Sequence, residues 1–519
     1  MRLPLIYFRR TDISAEQRMQ IGFSVTYQKR HGQVTKLAKR YKVSRRFIYS
    51  TGDALKAFVA QYDAPESKAE SAAKAVDATL RLLFTSRLAG KCTINGIRKI
   101  LQQQGSCYDS VGYISEALTA AGEKVGNSLS FETTMTFVFV PDEIFALGCP
   151  ILITVEPSSL AVLKIELADD RTAATWQAHF EGLEASKIRA SLVVKDEGGG
   201  LKAAQKACLA DVPVQSDTFH AVAHRFGLFT HRFWASFEAW LAKENKAADL
   251  YFKSKTVQTE DKRYKNYLLV RANRIKALAL FHDFNFLYKC LLDGFQAFDG
   301  EGQLKDEDTV VADFDTALDL LRTLKQTAIN KELDTIIACK STLFTFFKST
   351  KNMVAAIEET IEKVINKTNE KPIEKPIEKH SIKTILNYFC LAYQHHKNCV
   401  KAKKQPQRAY HKTHENDILN LLHDVLKDDF NSLKILIYSQ LSSIVQSSAA
   451  VECINSILRP YLNSSCGQLT QQALNLFMFY HNHRIFEAGA RKGKSPMELL
   501  TGKPHDNWLD LLMAKIATK

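Results

Sequence analysis

TFVFVPDEIF (136–145), CPILITVEPSS (149–159) and AVLKIELADD (161–170) are three apolar, β-branched runs separated by short turns. ATWQAHFEGL (174–183) follows with helical spacing, and SLVVKDEGGGL (191–201) returns to strand character. The segment therefore reads strand, strand, strand, helix, strand. Asp142 stands near the end of the first strand and Asp196 ends the fourth. A third acid, Glu452, lies far downstream in SSAAVECINSILRPYL (447–462), which has helical periodicity. Carboxylates brought together from two strand ends and a helix make an oxygen-rich site for two divalent metals. Two such ions, about 3.5–4 Å apart, activate a nucleophile and stabilise a leaving oxygen in phosphoryl transfer. Glu143 and Glu156 also stand at strand ends or beside Asp142, and either is an alternative for the first acid.

The composition bounds the rest. A chain of 519 residues has room for three or four domains, and 45% hydrophobic residues suffice for real cores. Mean hydropathy is −0.19. No apolar run approaches the roughly 18 residues needed to cross a bilayer, and MRLPLIYFRRTD is too short and too charged for a secretory signal. Ten cysteines without a CxxC pair suit free thiols in a reducing cytoplasm. The formal net charge of +14 is unevenly placed: residues 1–60 hold 13 Lys or Arg against 3 Asp or Glu. Such a segment carries the electrostatic footprint of phosphate binding, though a solvated face has the same composition.

Residues 1–60 read as a helix-turn-helix. The first helix, SAEQRMQIGFSVTYQKR (14–30), opens on a Ser14–Gln17 capping-box pattern. QVTKLAKRY (33–41) and VSRRFIYSTGDAL (43–55) supply the second and third. Leu37, Ala38, Val43 and Ile48 are spaced to bury one side, while Ser44, Arg45, Arg46 and Tyr49 fall at the start of the third helix and can face DNA. Residues 74–126 read as a second helix-turn-helix-like unit after the loop YDAPESKAESAA (62–73), with Gly105 and Gly122 as helix stops. That unit lacks the strong positive balance of the first, so a packing or dimerisation role fits it as well as DNA reading.

From Asp196 to Glu452 is 256 positions, and the intervening sequence mostly has helical patterning. The expected organisation is a catalytic α/β core at 130–224, an all-α insertion at 225–440, and completion of the core at 441–519. KPIEKPIEKH (371–380) reads as a linker, because a proline in each repeat unit interrupts a helix. KNCVKAKKQPQRAYHKTHE (397–415) is lysine-rich and reads as a solvated loop or a DNA contact. Cys390, His395, His396 and Cys399 match no established zinc spacing and fall on a helical segment. The run Gly198–Gly200 lets backbone approach a phosphate or metal, but it lacks the GK[ST] ending of an ATP-binding loop.

Five stretches carry a family resemblance: VPDEIFALG (140–148), LVVKDEGGGL (192–201), QSDTFHAVAHRF (215–226), VECINSILRPYL (451–462) and FYHNHRIFEAGARKGKSPMELLTG (479–502). Together they resemble the DDE transposases of bacterial insertion sequences. The resemblance implies a multidomain α and α/β protein: N-terminal helix-turn-helix units and a ribonuclease-H-like core interrupted by a large all-α insertion. It assigns the first Asp to Asp142, the second to Asp196 and the Glu to Glu452, holding two Mg2+ or Mn2+ ions. Asp217 and His220 resemble the C/D-x-x-H signature of hAT and Mutator-type transposases, near the catalytic pocket; an ordinary helix cap explains the same pair. Asn455 and Arg459 share a helical face with Glu452. Asn455 is expected to orient Glu452, and Arg459 to hold a phosphate. Tyr480, Asn482 and Arg484 begin a polar tract in which Arg491, Lys492 and Lys494 are the expected phosphate contacts. The implied activity is binding of terminal inverted repeats, metal-dependent strand cleavage, and attack by the freed 3′-hydroxyl on target DNA. The implied partners are double-stranded DNA and at least one further copy of the chain, in the bacterial cytoplasm on the nucleoid and without a membrane. Two rivals share these residues: a catalytically inactive or repurposed DNA-binding protein, and a metal-dependent nuclease that never joins strands.

Overall fold

Ser14 and Gln17 start the first helix as their spacing predicts. The Ser14 hydroxyl accepts from the Gln17 N–H at 3.2 Å, and the Gln17 side chain accepts from the Ser14 N–H at 2.9 Å. The computed structural model describes residues 12–28, 30–62, 68–368, 379–465 and 468–517. Two units divide the chain, Met1–Leu80 and Arg81–Lys519. The first holds α1 (Ala15–Thr26), α2 (Gln33–Arg40) and α3 (Arg45–Tyr62). Ile13, Ile21 and Ile48 form its buried centre, with Leu37, Ala38 and Val43 packed against them. Glycine lets α1 and α3 cross closely: a Cβ on Gly22 would stand 3.1 Å from Leu55, and one on Gly52 3.1 Å from Val25. α4 (Lys68–Phe84) crosses the boundary between the units, so the expected loop at 62–73 is helical from Lys68 onward.

After a π-helical turn come α5 (Ile94–Gln103) and α6 (Val111–Val125). Gly105 takes the left-handed conformation just past α5, as a stop should. Gly122 does not end its helix. It lies inside α6, and the left-handed residue at the end is Gly126. A Cβ on Gly122 would meet the Gln472 carbonyl oxygen at 2.3 Å, so this glycine is a point of close packing.

The sheet follows as β1 (Met135–Ala146), β2 (Cys149–Glu156), β3 (Ala161–Leu167), then α7 (Ala173–Ala185), β4 (Ile188–Lys195), α8 (Gly199–Cys208) and β5 (Val214–Ser216). Strand order is β3-β2-β1-β4-β5. β1–β2 and β2–β3 are antiparallel, whereas β1–β4 and β4–β5 are parallel. The central strands bury both faces. Val140, Ile144, Ile151, Ile153, Val155 and Val194 look one way, and Phe139, Leu152 and Val193 look the other, against Trp176 and Phe180 of α7.

α9 (Arg225–Phe252) and α10 (Val257–Asp293) follow β5 as an antiparallel pair: Phe229 meets Phe284, Trp234 meets Phe281, and Tyr251 meets Tyr264. Then come α11 (Glu307–Thr323), α12 (Thr327–Leu343), α13 (Thr345–Thr368), α14 (Lys379–Lys401), α15 (Gln405–Leu426) and α16 (Phe430–Ser442). Two apolar cores hold this all-α region, one around Phe226, Phe284, Phe314 and Leu343, the other around Ile357, Phe389, Leu422 and Ile437. The expected linker at 371–380 lies almost wholly outside the described residues. The lysine-rich stretch at 397–415 is not a loop, since it forms the end of α14 and the start of α15, with proline admitted in the first turn of α15.

The chain returns through α17 (Ala449–Ser464), α18 (Gln471–His483), α19 (Pro496–Thr501) and α20 (Trp508–Ala517). α17 and α18 cover the Val140 face of the sheet with Ile454, Leu458, Leu474 and Phe477. α18 also closes the outer edge of β3: the Asn482 side chain bonds the N–H and C=O of Val162, each at 2.9 Å, and Gln471 bonds Leu167 N and Ile165 O. At the opposite edge Thr345 of the insertion donates to the Val214 carbonyl of β5. Open edges invite pairing with other chains; at β3 the Asn482 and Gln471 side chains, together with the backbone of Asn127 and Leu129, occupy the edge. No helix among the described residues is long and apolar enough to cross a membrane.

Candidate active site

Strand register brings the two aspartates together. The last paired residues of the parallel strands β1 and β4 are Phe139 and Val193. Asp142 and Asp196 each stand three positions beyond that pair, on neighbouring strands. Alternation then decides which face they take. Val140 and Ile144 bracket Asp142 and pack beneath α17, and Val194 does the same before Asp196. Both carboxylates thus belong to the face that meets α17, the helix carrying Glu452.

The same alternation separates the other acids. Glu143 has opposite parity to Asp142 and forms an ion pair with Arg171 at 2.7 Å. Glu156 shares parity with Leu152 and Thr154, which face α7. Its carboxylate is buried in the turn between β2 and β3, accepting from Ser158 N at 2.9 Å, Ser159 N at 2.7 Å and the Ser159 hydroxyl at 2.5 Å. Those bonds occupy it with holding a turn.

Asn455, one helical turn beyond Glu452, serves a different acid from the one expected. Its amide donates to Asp142 Oδ2 at 3.0 Å. The Glu143 N–H donates to Asp142 Oδ1 at 2.9 Å. Among the described residues the Asn455 side-chain oxygen, Oδ1, is buried without a hydrogen-bond partner. Burial pushes the Asp142 carboxyl up to about 7; the Glu143 N–H opposes this, and the charges of Glu452, Asp196 and Glu143 add to it. Asp196 accepts from Gly198 N at 2.9 Å, so the glycine run folds back onto the acid before α8 begins.

DTFH is both a cap and a part of this site. Asp217 is 1% exposed. Its Oδ1 accepts from Phe219 N at 2.7 Å and His220 N at 3.1 Å, which is the cap. Its Oδ2 accepts from His220 Nδ1 at 2.7 Å, from Ser448 N at 2.9 Å and from the Ser448 hydroxyl. Burial opposes the Asp217 charge, but the donors from His220 and Ser448 outweigh it and hold its pKa below the ordinary value. The Asp217 bond raises the His220 pKa against the effect of burial. His220 Nε2 then points at Glu452, 3.7 Å away. Ser448 immediately precedes α17, yet its hydroxyl goes to Asp217 instead of capping that helix. Nothing periodic in the sequence marks Ser448 for this task. Lys195 and Glu197 also escape a sequence reading. Lys195 is a buried lysine on the far side of β4, donating to the Asp196 carbonyl at 3.2 Å and lying 4.0 Å from Glu197.

Other expected contacts fall elsewhere. Arg459 is exposed on α17. Arg491 donates to the carbonyls of Ser158 and Pro157 at 2.8 and 3.0 Å and so braces the β2–β3 turn, whereas Lys492 and Lys494 are exposed. Asn482 is buried at the β3 edge, far from the solvent expected of a polar tract. In the first unit Ser44 caps α3 through Phe47 N at 3.1 Å, leaving Arg45, Arg46 and Tyr49 exposed on the first turns. Cys390, His395, His396 and Cys399 do not converge: Cys390 is core, His395 meets His411, His396 bonds Glu415, and Cys399 bonds the Arg408 carbonyl.

The donor chemistry of the site is carboxylate oxygen, which suits a hard divalent cation such as Mg2+. Among the described residues no group of three or more His, Cys, Asp or Glu side chains is gathered closely enough to enclose an ion. The repulsion that adds to the rise at Asp142 is the signature of acids that a cation would relieve. Comparison with protein families found no matching model, and comparison with curated proteins found no match.

Proposed function

We propose that this chain is a DDE-type DNA transposase, a metal-dependent polynucleotidyl transferase that binds terminal inverted repeats, cuts strands and joins the freed 3′-hydroxyl to target DNA. One observation carries the reading. Asp142 and Asp196 occupy matched places on neighbouring parallel strands and share the face covered by the Glu452 helix. The strand order β3-β2-β1-β4-β5 is compatible with a ribonuclease-H-like core. The long all-α segment between β5 and α17 has the place expected of the insertion.

In this reading Asp142, Asp196 and Glu452 hold two Mg2+ or Mn2+ ions, whose chemistry is to activate water or a 3′-hydroxyl and to stabilise the leaving oxygen. The chain's own groups prepare that site. Asn455 fixes the rotamer of Asp142 through its amide. Asp217 joins Ser448, at the foot of α17, to His220, and so sets the distance between His220 and Glu452. His220 is positioned to donate to Glu452 or to a non-bridging phosphate oxygen beside it. Arg45, Arg46 and Tyr49 present charge and a ring from the start of α3, where recognition helices contact DNA. Lys492, Lys494 and Arg459 are the exposed cations nearest in sequence to the third acid. The protein then works on the bacterial nucleoid as a homodimer or higher oligomer, because two transposon ends are joined.

The test uses a labelled terminal-repeat duplex with Mg2+. Asp142→Ala, Asp196→Ala and Glu452→Ala are each expected to abolish cleavage and joining while leaving duplex binding largely intact. Glu156→Ala is expected to lower stability and Glu143→Ala to retain activity. Binding by the native chain without cutting would favour a non-catalytic DNA-binding protein, and cutting without joined products would favour a nuclease.

A further inference from the structure

The α9–α10 arm carries a concentration of positive charge outside the first unit, as does the stretch 397–412 with six Lys or Arg and no Asp or Glu. Residues 243–276 hold 10 Lys or Arg against 4 Asp or Glu, a balance of +6 in 34 positions. With the +10 of residues 1–60, this exceeds the +14 of the whole protein, so the remaining residues together sum to −2. The charge is not spread along the arm. In its remaining parts, 225–242 and 277–293, three basic residues offset three acidic ones.

Packing does not account for this distal half. Phe226, Phe229 and Phe284 anchor the base of the arm in the insertion core. Between residues 234 and 283, Ala247 is the only buried one among the described residues. α10 is 37 residues long, about 55 Å at 1.5 Å per residue, and its first 27 residues lie beyond that anchor. Among the described residues the distal halves of the two helices pack chiefly on each other. Glu244, held by Arg271 and Arg274, and the rings of Tyr251, Tyr264 and Tyr267 keep them together.

The exposed surface has a pattern. On α9, Lys243, Lys246 and Leu250 follow i, i+3, i+7 spacing, and Lys253, the residue that caps its end, continues the row at i+10. On α10, Lys262, Lys265, Leu269 and Lys276 make a second such stripe. Lys265 pairs with Asp261. Among the described residues no carboxylate pairs with Lys246, Lys253, Lys255, Lys262 or Lys276. At the tip, Phe252 is 80% exposed and Val257 82% exposed, flanking Lys253 and Lys255. An apolar pair bracketing two lysines at the end of this arm suits a polyanion that also offers apolar surface.

We propose that the distal half of this arm, Lys243–Lys276, is a docking surface for double-stranded DNA. The lysine stripes face phosphates along the duplex, and Phe252 and Val257 meet sugars and base edges in a groove. A second copy of the chain is disfavoured as the occupant, because like-charged stripes would face each other in a protein of net charge +14. The choice of DNA rests on the proposed strand-transfer reading. The surface adds a contact distinct from the first unit and from the acids.

The test is a salt series of binding to a random-sequence duplex by fluorescence anisotropy, without metal. The full chain carries Arg45→Ala and Arg46→Ala in every sample, so that the first unit does not mask the arm. Adding Lys246→Gln, Lys253→Gln, Lys255→Gln and Lys262→Gln should lower the slope of log K against log salt by about two to four, near 0.9 for each phosphate that is no longer neutralised. Phe252→Ser with Val257→Ser should weaken binding while leaving the slope unchanged. An unchanged slope and affinity after lysine neutralisation overturns the proposal. So does unchanged DNA affinity with an altered oligomeric state by sedimentation, or with abolished binding to anionic vesicles. Strand chemistry is scored separately. A slope change in a chain that never cuts DNA keeps the arm and sinks the transposase reading. Cutting and joining with an unchanged slope sinks the arm alone.

Discussion

Asp142→Asn should stabilise the metal-free protein, by an amount that grows as pH rises from about 4 to about 7. The Asp142 carboxyl is pushed from an ordinary 3.8 up to about 7 by burial and by the charges of Glu452, Asp196 and Glu143. Between those two values the folded chain keeps a proton that the unfolded chain has released. Stability contributed by this group therefore falls as pH rises from about 4 to about 7, by about 1.4 kcal/mol per unit. Three units correspond to about 4 kcal/mol as an upper bound, reached once pH passes the folded value. Asparagine keeps the shape and an acceptor for the Asn455 amide but cannot ionise. At pH 5, about one unit above the unfolded value, the unfolded parent is already ionised, so the substitution should stabilise by only about 1.5 kcal/mol, at about 1.4 kcal/mol per unit. At pH 8 it should raise the urea midpoint and the melting temperature of the Arg81–Lys519 unit. A domain of 150–250 residues moves about 2–4 °C per kcal/mol, and a larger unit moves less, so a shift of a few degrees is expected. The assay is chelator-treated protein melted across that pH range beside the parent. An equal effect at pH 5 and pH 8 would refute the reasoning, because it would mean that Asp142 carries no electrostatic strain. Mg2+ should narrow the difference at pH 8 by stabilising the ionised parent.

Arg45→Ala with Arg46→Ala should weaken terminal-repeat binding and reduce its salt slope by about one unit per phosphate contact; an unchanged slope would remove the first unit as the DNA reader. Asp217→Ala should cost about 3 kcal/mol, more than an ordinary cap, because it strands donors on Phe219, His220 and Ser448 in a buried place. His220→Ala should slow cutting or joining with little change in melting, and a normal rate with a lowered melting temperature would make DTFH purely structural. Gly122→Ala should destabilise the second unit by about 1–3 kcal/mol through overpacking against Gln472, and chemical denaturation with an unchanged midpoint would contradict that close approach.

Local chemistry was legible because it acts over a few residues. The Ser14–Gln17 cap, the Leu37–Ile48 face and the four core strands all follow from spacing and residue type, and each appears close to its expected place. The order of the acids along the chain was also readable. What their spacing does not contain is parity relative to a distant partner. Asp142, Glu143 and Glu156 are equal as letters. Only the packing of Val140 and Ile144 under α17, about 300 residues away, turns Asp142 toward Glu452 and leaves Glu143 to Arg171 and Glu156 to its turn. Gly122 shows the same limit, since a glycine that stops a helix and one that admits a neighbouring helix look alike until Gln472 arrives. Asn482, Arg491 and Ser448 are polar residues whose partners are Val162, Ser158 and Asp217, each more than two hundred positions distant. The sequence alone determines helices, strands, caps and where charge is concentrated, since those depend on neighbours in the chain. The tertiary structure decides which face each acid shares and which polar side chains are consumed by the fold, since those depend on contacts that close long loops.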